Sequence, residues 1–299
     1  MLISFFCWFR LPKTFVQPFA LVSFILLSSF PVVFAQISTT PSSYPYPAIN
    51  FVYTQNFSNL PVSSTYLSGI TGKGPYFLGS LHVGLQGLFI AQTSGSNTAL
   101  NFTTSSGSNA TNGIFSYGAN NAATRGLGSL ASSAGAYVFG ISFTNNTSAV
   151  IDQFAIEFTA AQWRKGGSGK ANEWTFLYYT SGTNNVLDTL TKKDTTLNFT
   201  SVQSSTGTAA LNGLLTTNQQ QKKDTLFNLN WRPGEQLILK WQDKDEIGND
   251  DGMALQQLNG KALALPDNTA PTVFALIPPA AKTYTAGDTL STKIIFSET

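Results

Sequence analysis

The chain has 299 residues, with 17 Lys+Arg against 15 Asp+Glu, one histidine and one cysteine. A charge so sparse and balanced excludes the clustered cations that capture nucleic acid. One histidine and one cysteine are too few for a zinc site of histidine or cysteine type.

Arg10 and Lys13 are the only charges ahead of a largely apolar stretch, Phe19 to Phe34, which ends in Val33-Phe34-Ala35 before Gln36. A basic start, a short apolar core and a small final residue predict a secretory signal cleaved after Ala35. The run is interrupted by Pro31 and is shorter than the roughly 20 apolar residues that span a bilayer. Cleavage would remove both cations and Cys7, leaving a formally neutral, secreted or cell-surface chain without disulfides, thiol chemistry or a membrane span. Its many Phe, Tyr, Leu and Trp residues suffice for a core without cross-links.

Residues 36–47, with Pro41, Pro45 and Pro47, read as an extended leader without a core of its own. From Ala48 onward, short aromatic and β-branched segments alternate with turns rich in Gly, Ser, Asn and Thr, the pattern of an all-β protein. Strands are predicted at Ile49–Phe57, Gly87–Ala91, Gly113–Tyr117 and Ala136–Phe143, the last with Tyr137, Phe139, Ile141 and Phe143 on one face. In the next, Phe154, Ile156 and Phe158 alternate with Ala155, Glu157 and Thr159. Further strands are expected at Trp174–Tyr179, Thr196–Val202, Thr225–Trp231, Leu237–Trp241 and Met253–Leu258. No segment after the signal has sustained helical periodicity. The expected architecture is a jelly-roll-like sandwich of two sheets over 48–265. A polar joint, Asp267-Asn268-Thr269-Ala270-Pro271, then leads to two more strands, Thr272–Ile277 and Leu290–Phe296. Two strands form no independent core, so 266–299 reads as a linker and the start of a second, incomplete domain.

The residues from Asp267 to Val273, then Tyr284-Thr285-Ala286-Gly287-Asp288-Thr289-Leu290 and Ile294-Ile295-Phe296-Ser297-Glu298, resemble the opening of bacterial immunoglobulin-like surface repeats. The body resembles a β-sandwich module at the start of large exported bacterial surface proteins. That likeness rests on Tyr53-Thr54-Gln55-Asn56-Phe57, Arg125 to Leu130, Phe143 to Thr147, Gln162-Trp163-Arg164 and Trp241 to Leu255. The resemblance implies a module without activity of its own. Where that group usually continues with Ile-Asp-Asp, this chain has Leu255-Gln256-Gln257.

Candidate chemistry is thin. Asp243, Asp245, Asp250 and Asp251, with Glu246 and two glycines, offer oxygens for a structural calcium. The EF-hand pattern fails, however, because Ile247 and Ala254 stand at its fifth and twelfth positions. Without calcium the stretch is a solvated acidic turn. Glu157, Arg164 and Arg125 are expected as an internal ion-pair group, with Arg164 gripping a ligand carboxylate as the binding alternative. His82 reads as a strand or loop residue, and no Gly-x-Ser-x-Gly elbow surrounds any serine. The six Asn sequons carry no inference. The leading expectation is a non-catalytic structural or adhesive module. Its alternative is a carbohydrate-binding sandwich, with Trp163 and Arg164 as weak ligand contacts. A second alternative is a hydrolase using paired carboxylates. The partners considered are a glycan or a cell-surface protein.

Overall fold

The computed structural model describes residues 36–63, 70–264 and 272–297. The expected signal over 1–35 and the joint at 267–271 lie outside the described residues. In chain order the strands are β1 (Tyr44–Tyr46), β2 (Val52–Gln55), β3 (Tyr76–Phe77), β4 (Leu88–Ser94), β5 (Phe102–Ser105) and β6 (Gly113–Tyr117). They continue as β7 (Gly126–Leu130), β8 (Ala136–Asn145), β9 (Phe154–Lys165), β10 (Glu173–Ser181), β11 (Lys192–Lys193) and β12 (Phe199–Thr200). The last are β13 (Ala209–Ala210), β14 (Gln219–Leu226), β15 (Gln236–Asp243), β16 (Gly252–Ala262), β17 (Val273–Ile277) and β18 (Lys293–Phe296). Helical structure among the described residues is confined to single 3-10 turns, and no helix there is long and apolar enough to cross a membrane.

Two large sheets pack face to face. The first runs β11-β10-β15-β8-β4-β3, with β1 beside β8 and β12 beside β10. The second runs β13-β9-β16-β7-β6-β5, with β14 beside β9 and β2 beside β16. Successive long strands cross between layers: β8 lies in the first sheet, β9 in the second, β10 in the first, and β15 and β16 repeat the crossing. This is the all-β sandwich expected from the alternating pattern.

Period-two alternation fills the space between the layers. Tyr137, Phe139, Ile141 and Phe143 of β8 are fully buried, as are Leu237, Leu239 and Trp241 of the paired β15. Trp241 stacks on Phe139 and meets the edges of Phe158 and Phe176, joining the two sheets. At the other end Tyr46, Phe143, Phe154 and Trp231 form a second aromatic knot. Burying each such side chain stabilises the fold by about 1.5–3 kcal/mol.

Three expectations need correction. Residues 36–47 are built into the sandwich: β1 pairs parallel with β8, Ile37 is buried, and the Tyr46 hydroxyl accepts from Ala262 N at 2.7 Å. The strand expected at Thr225–Trp231 lies earlier, as β14, whose Gln-Gln-Gln-Lys-Lys start hides it from an apolar-pattern search. The segment expected as Thr196–Val202 is a 3-10 turn followed by the two-residue β12. The two expected late strands are present as β17 and β18, the second beginning at Lys293 rather than Leu290; they pair antiparallel, with Val273, Phe274, Leu276 and Ile277 exposed.

Candidate functional site

Trp163 lies in β9 and is 2 % exposed, stacked on Tyr117 at 5.9 Å between ring centres. Gly213 lies against its indole so closely that a Cβ there would collide with the ring. Trp163 is therefore a core residue and no platform for a sugar, because both faces are covered. Arg164 directs Nη1 to the carbonyls of Gly107 and Ser108, each at 3.4 Å, and ties down that loop.

The expected ion-pair group does not assemble. Arg125, 1 % exposed, donates to Ser116 Oγ at 2.9 Å, to Ala119 O at 2.8 Å and to Ser116 O. Glu157 points the other way, outward from β9. His82 is an exposed cap whose Nδ1 accepts from Gly84 N at 2.9 Å.

The acidic stretch divides. Asp245 is exposed, whereas Asp243, Asp250 and Asp251 are buried where β15 and β16 meet the loop before β10. Asp243 Oδ2 accepts from Ser129 Oγ at 2.6 Å, and Asp250 Oδ1 from Asn172 Nδ2 at 3.0 Å. Asp251 Oδ1 accepts from Gly166 N at 2.6 Å, and Asn172 Oδ1 accepts from Asp251 N at 2.8 Å. Glu246 receives Glu173 N at 3.0 Å and a bond from the Asn172 amide. Neutral donors thus take up Asp243 Oδ2, Asp250 Oδ1 and Asp251 Oδ1, while Asp251 Oδ2 is buried without a hydrogen-bond partner. Among the described residues no three His, Cys, Asp or Glu side chains converge to hold a metal ion. Burial is the main force raising the carboxyl pKa values of Asp243, Asp251 and Glu246, and Asp250 is pushed up to about 7 by burial, with repulsion from Glu246 and Asp245 adding to it. The cluster fixes a corner of the sandwich.

The open site lies on the outer face of the second sheet. In β9 the inward Phe154, Ile156 and Phe158 are buried, which turns Ala155, Glu157 and Thr159 outward. The registers of β14, β16 and β2 extend these positions into rows. Thr54, Asn259, Glu157 and Lys223 lie side by side across four strands. Val52, Lys261, Ala155 and Thr225 form the next row, and Gln257, Thr159 and Gln221 the row on the other side. At about 4.8 Å per strand, a four-residue row spans ~14 Å. Small Ala155 and Thr225 between long Lys223, Lys261 and Glu157 leave a groove of about 770 Å3. Opposite Ile156, Gly260 is required because a Cβ there would lie 2.5 Å from the Phe154 ring.

One feature makes the groove more than an ordinary solvated face. Among the described residues, the side chains of Thr54, Glu157, Lys223, Gln257 and Asn259 have no hydrogen-bond or ion-pair partner. The β9–β16 ladder also shifts register between Leu255 and Gln257, leaving Gln256 as the extra residue of a bulge. Its amide is buried near Gly126 of β7, outside the groove's lining, without a hydrogen-bond partner. The alternation of β9 was visible in the sequence. The rows were not, because they need β14 and the pairing register.

No family model matches the chain, and no curated protein matches it. Solved structures similar to it include a xylan-binding module, CBM15, at 10 % identity and TM-score 0.29, with 58 % of this chain and 95 % of that one covered. TmCBM61 in complex with beta-1,4-galactotriose is similar at 6 % identity and TM-score 0.25, covering 48 % and 74 %. The glycoside hydrolase domain of Endo-D from Streptococcus pneumoniae R6 is similar at 12 % identity and TM-score 0.32, covering 77 % of this chain and 31 % of that one. The chain spans 19 % of a bacteriophage CBA120 tailspike domain that it also resembles. The expectation was a structural or adhesive module; these solved structures are instead carbohydrate-binding modules and glycoside-hydrolase or tailspike domains.

Proposed function

We propose that this chain is a carbohydrate-binding sandwich module whose ligand lies along the groove over β2, β16, β9 and β14. The observation that carries this reading is the unpaired row Thr54–Asn259–Glu157–Lys223, with unpaired Gln257 beside it. A sugar ring presents vicinal hydroxyls, each both donor and acceptor. Amides, a carboxylate and an ammonium held about 4.8 Å apart by the sheet meet that pattern without paying for reorganisation. A strand-built platform also holds its side chains more firmly than a loop.

The carboxylates support binding over hydrolysis. Retaining or inverting cleavage needs two that converge on one bond. In the groove the Glu157 carboxylate has no partner, whereas Asp224, which also lines the groove, stands one residue out of phase with Lys223 and accepts from Thr225 N at 2.7 Å through Oδ1. Only one of the two carboxylates is thus wholly open to a ligand. Secretion, read from residues 1–35, would bring the groove to extracellular glycans.

Titration calorimetry with neutral oligosaccharides such as xylohexaose tests the reading. Glu157→Ala should weaken binding about tenfold and Asn259→Ala about fivefold, as expected for lost hydrogen bonds to a charged and a neutral group. Equal affinity in both variants and the wild type would refute it.

A further inference from the structure

The outer face of the first sheet is handled differently. Phe77, Phe89, Tyr179 and Ile238 make it apolar, and the segment 182–191 folds back over it, burying Val186 with Leu187 alongside. Three polar anchors hold that segment. Ser142 Oγ donates to Asn184 Oδ1 at 2.8 Å, the Tyr179 hydroxyl donates to Asn185 O, and Lys240 Nζ donates to Asp188 O at 2.7 Å and Val186 O at 3.4 Å.

Where the segment leaves the sheet towards β11, a cavity of about 410 Å3 remains. Lys240 lies at its floor and is 5 % exposed. An ammonium carries three donors, and the two bonds above both end on neutral carbonyls. The third side of Nζ has only the Tyr179 ring, 5.0 Å from its centroid. The nearby Asp188 carboxylate is turned to its own loop, where Oδ1 accepts from Leu190 N at 2.9 Å. Lys193 adds a second cation at the rim. Asp188 also lines the cavity and favours the charged form of Lys240, but it makes no ion pair with Nζ, and burial still holds the Lys240 pKa down to about 8. The remaining wall is mixed: Val138 and Leu177 supply an apolar side, Thr191 and Gln242 a hydroxyl and an amide.

We infer that this cavity is a second ligand site, distinct from the groove on the opposite sheet, and that it takes a small polyhydroxylated carboxylate of the sugar-acid class. The carboxylate completes the Lys240 ammonium and pairs with Lys193. The C–H face of the ring lies on Val138 and Leu177, and the hydroxyls reach Thr191 and Gln242.

The test is titration of the full chain with D-glucuronate and with D-glucose, which differ at the carboxylate, followed by calorimetry and by amide and methyl chemical shifts of Val138 and Leu177. Glucuronate should bind at least about tenfold more tightly than glucose, with shifts centred on this cavity. Lys240→Met should abolish the preference. Lys193→Gln, at an exposed position that does not disturb the fold, should reduce it about threefold and serves if Lys240→Met does not fold. Glu157→Ala should leave glucuronate binding unchanged, so failure of the groove reading and failure of this one are separable. Equal affinity for the two sugars, or a preference that Lys193→Gln leaves undiminished, overturns the inference.

Discussion

The outer face of the first sheet and the β2–β16–β9–β14 end of the second sheet's outer face are built from the same alternation and end in opposite states. On the first sheet the outward residues Phe89, Ile238 and Tyr179 are apolar and lie under a folded-back segment. On the second, Thr54, Glu157, Thr159 and Asn259 are polar and bare. Period two decides only which side chains point outward. What then happens depends on whether burying them gains free energy. An apolar outer face recruits a cover from the chain itself, while a polar one stays open to a ligand. The same protein thus carries a closed face with a small cavity at its margin and an open one with a groove.

This contrast can be broken most severely on the covered face. Val186 is 1 % exposed, so Val186→Asp should cost about 3 kcal/mol or more and loosen the 182–191 segment. Thr159→Asp on the open face should cost less than about 0.5 kcal/mol. Urea unfolding of the two variants checks the difference, and similar losses would mean that both faces are packed alike.

A smaller effect concerns the corner that joins the sheets. Asp250 has its pKa raised from 3.8 to about 7, and Asp243, Asp251 and Glu246 move in the same direction. The folded state therefore holds protons that the unfolded chain releases between about pH 4 and 7. Stability from this source is complete at the acid end of that window and falls as pH rises through it. The melting temperature should be several degrees higher at pH 5 than at pH 7.5, and Asp250→Asn should flatten the slope. A melting temperature that rises with pH across the window would contradict the cluster's electrostatics. Smallest of all, chelation of divalent cations should leave the melting temperature unchanged, because no three acidic side chains of the cluster converge and neutral donors serve Asp243 Oδ2, Asp250 Oδ1 and Asp251 Oδ1. A drop of several degrees would point to a bound ion instead.

Much of the fold was legible because its strands announce themselves by alternation: Tyr137–Phe143 and Phe154–Phe158 have the inward faces their spacing implies. The site was legible only in fragments. Ala155, Glu157 and Thr159 were recognisable as an outward face, but their neighbours Lys223 and Asn259 come from strands distant in sequence, and register is not written in any single strand. β14 was hidden because an edge strand with one solvated face needs few apolar residues. Trp163 misled for the opposite reason. Read as a ligand contact among polar neighbours, it is buried instead, because Gln162 and Arg164 direct their polar groups to the backbone of Gln203, Gly107 and Ser108. Lys240 lies within an apolar strand, and nothing local in the sequence indicates that segment 182–191 supplies the carbonyls that hold it.

The most direct test of the carbohydrate-binding reading is a map of amide chemical shifts on adding a neutral oligosaccharide that calorimetry shows to bind. Perturbations should concentrate on Thr54, Glu157, Lys223, Gln257 and Asn259, leaving the covered face unmoved. Shifts gathered elsewhere on the molecule, with these residues silent, would contradict it.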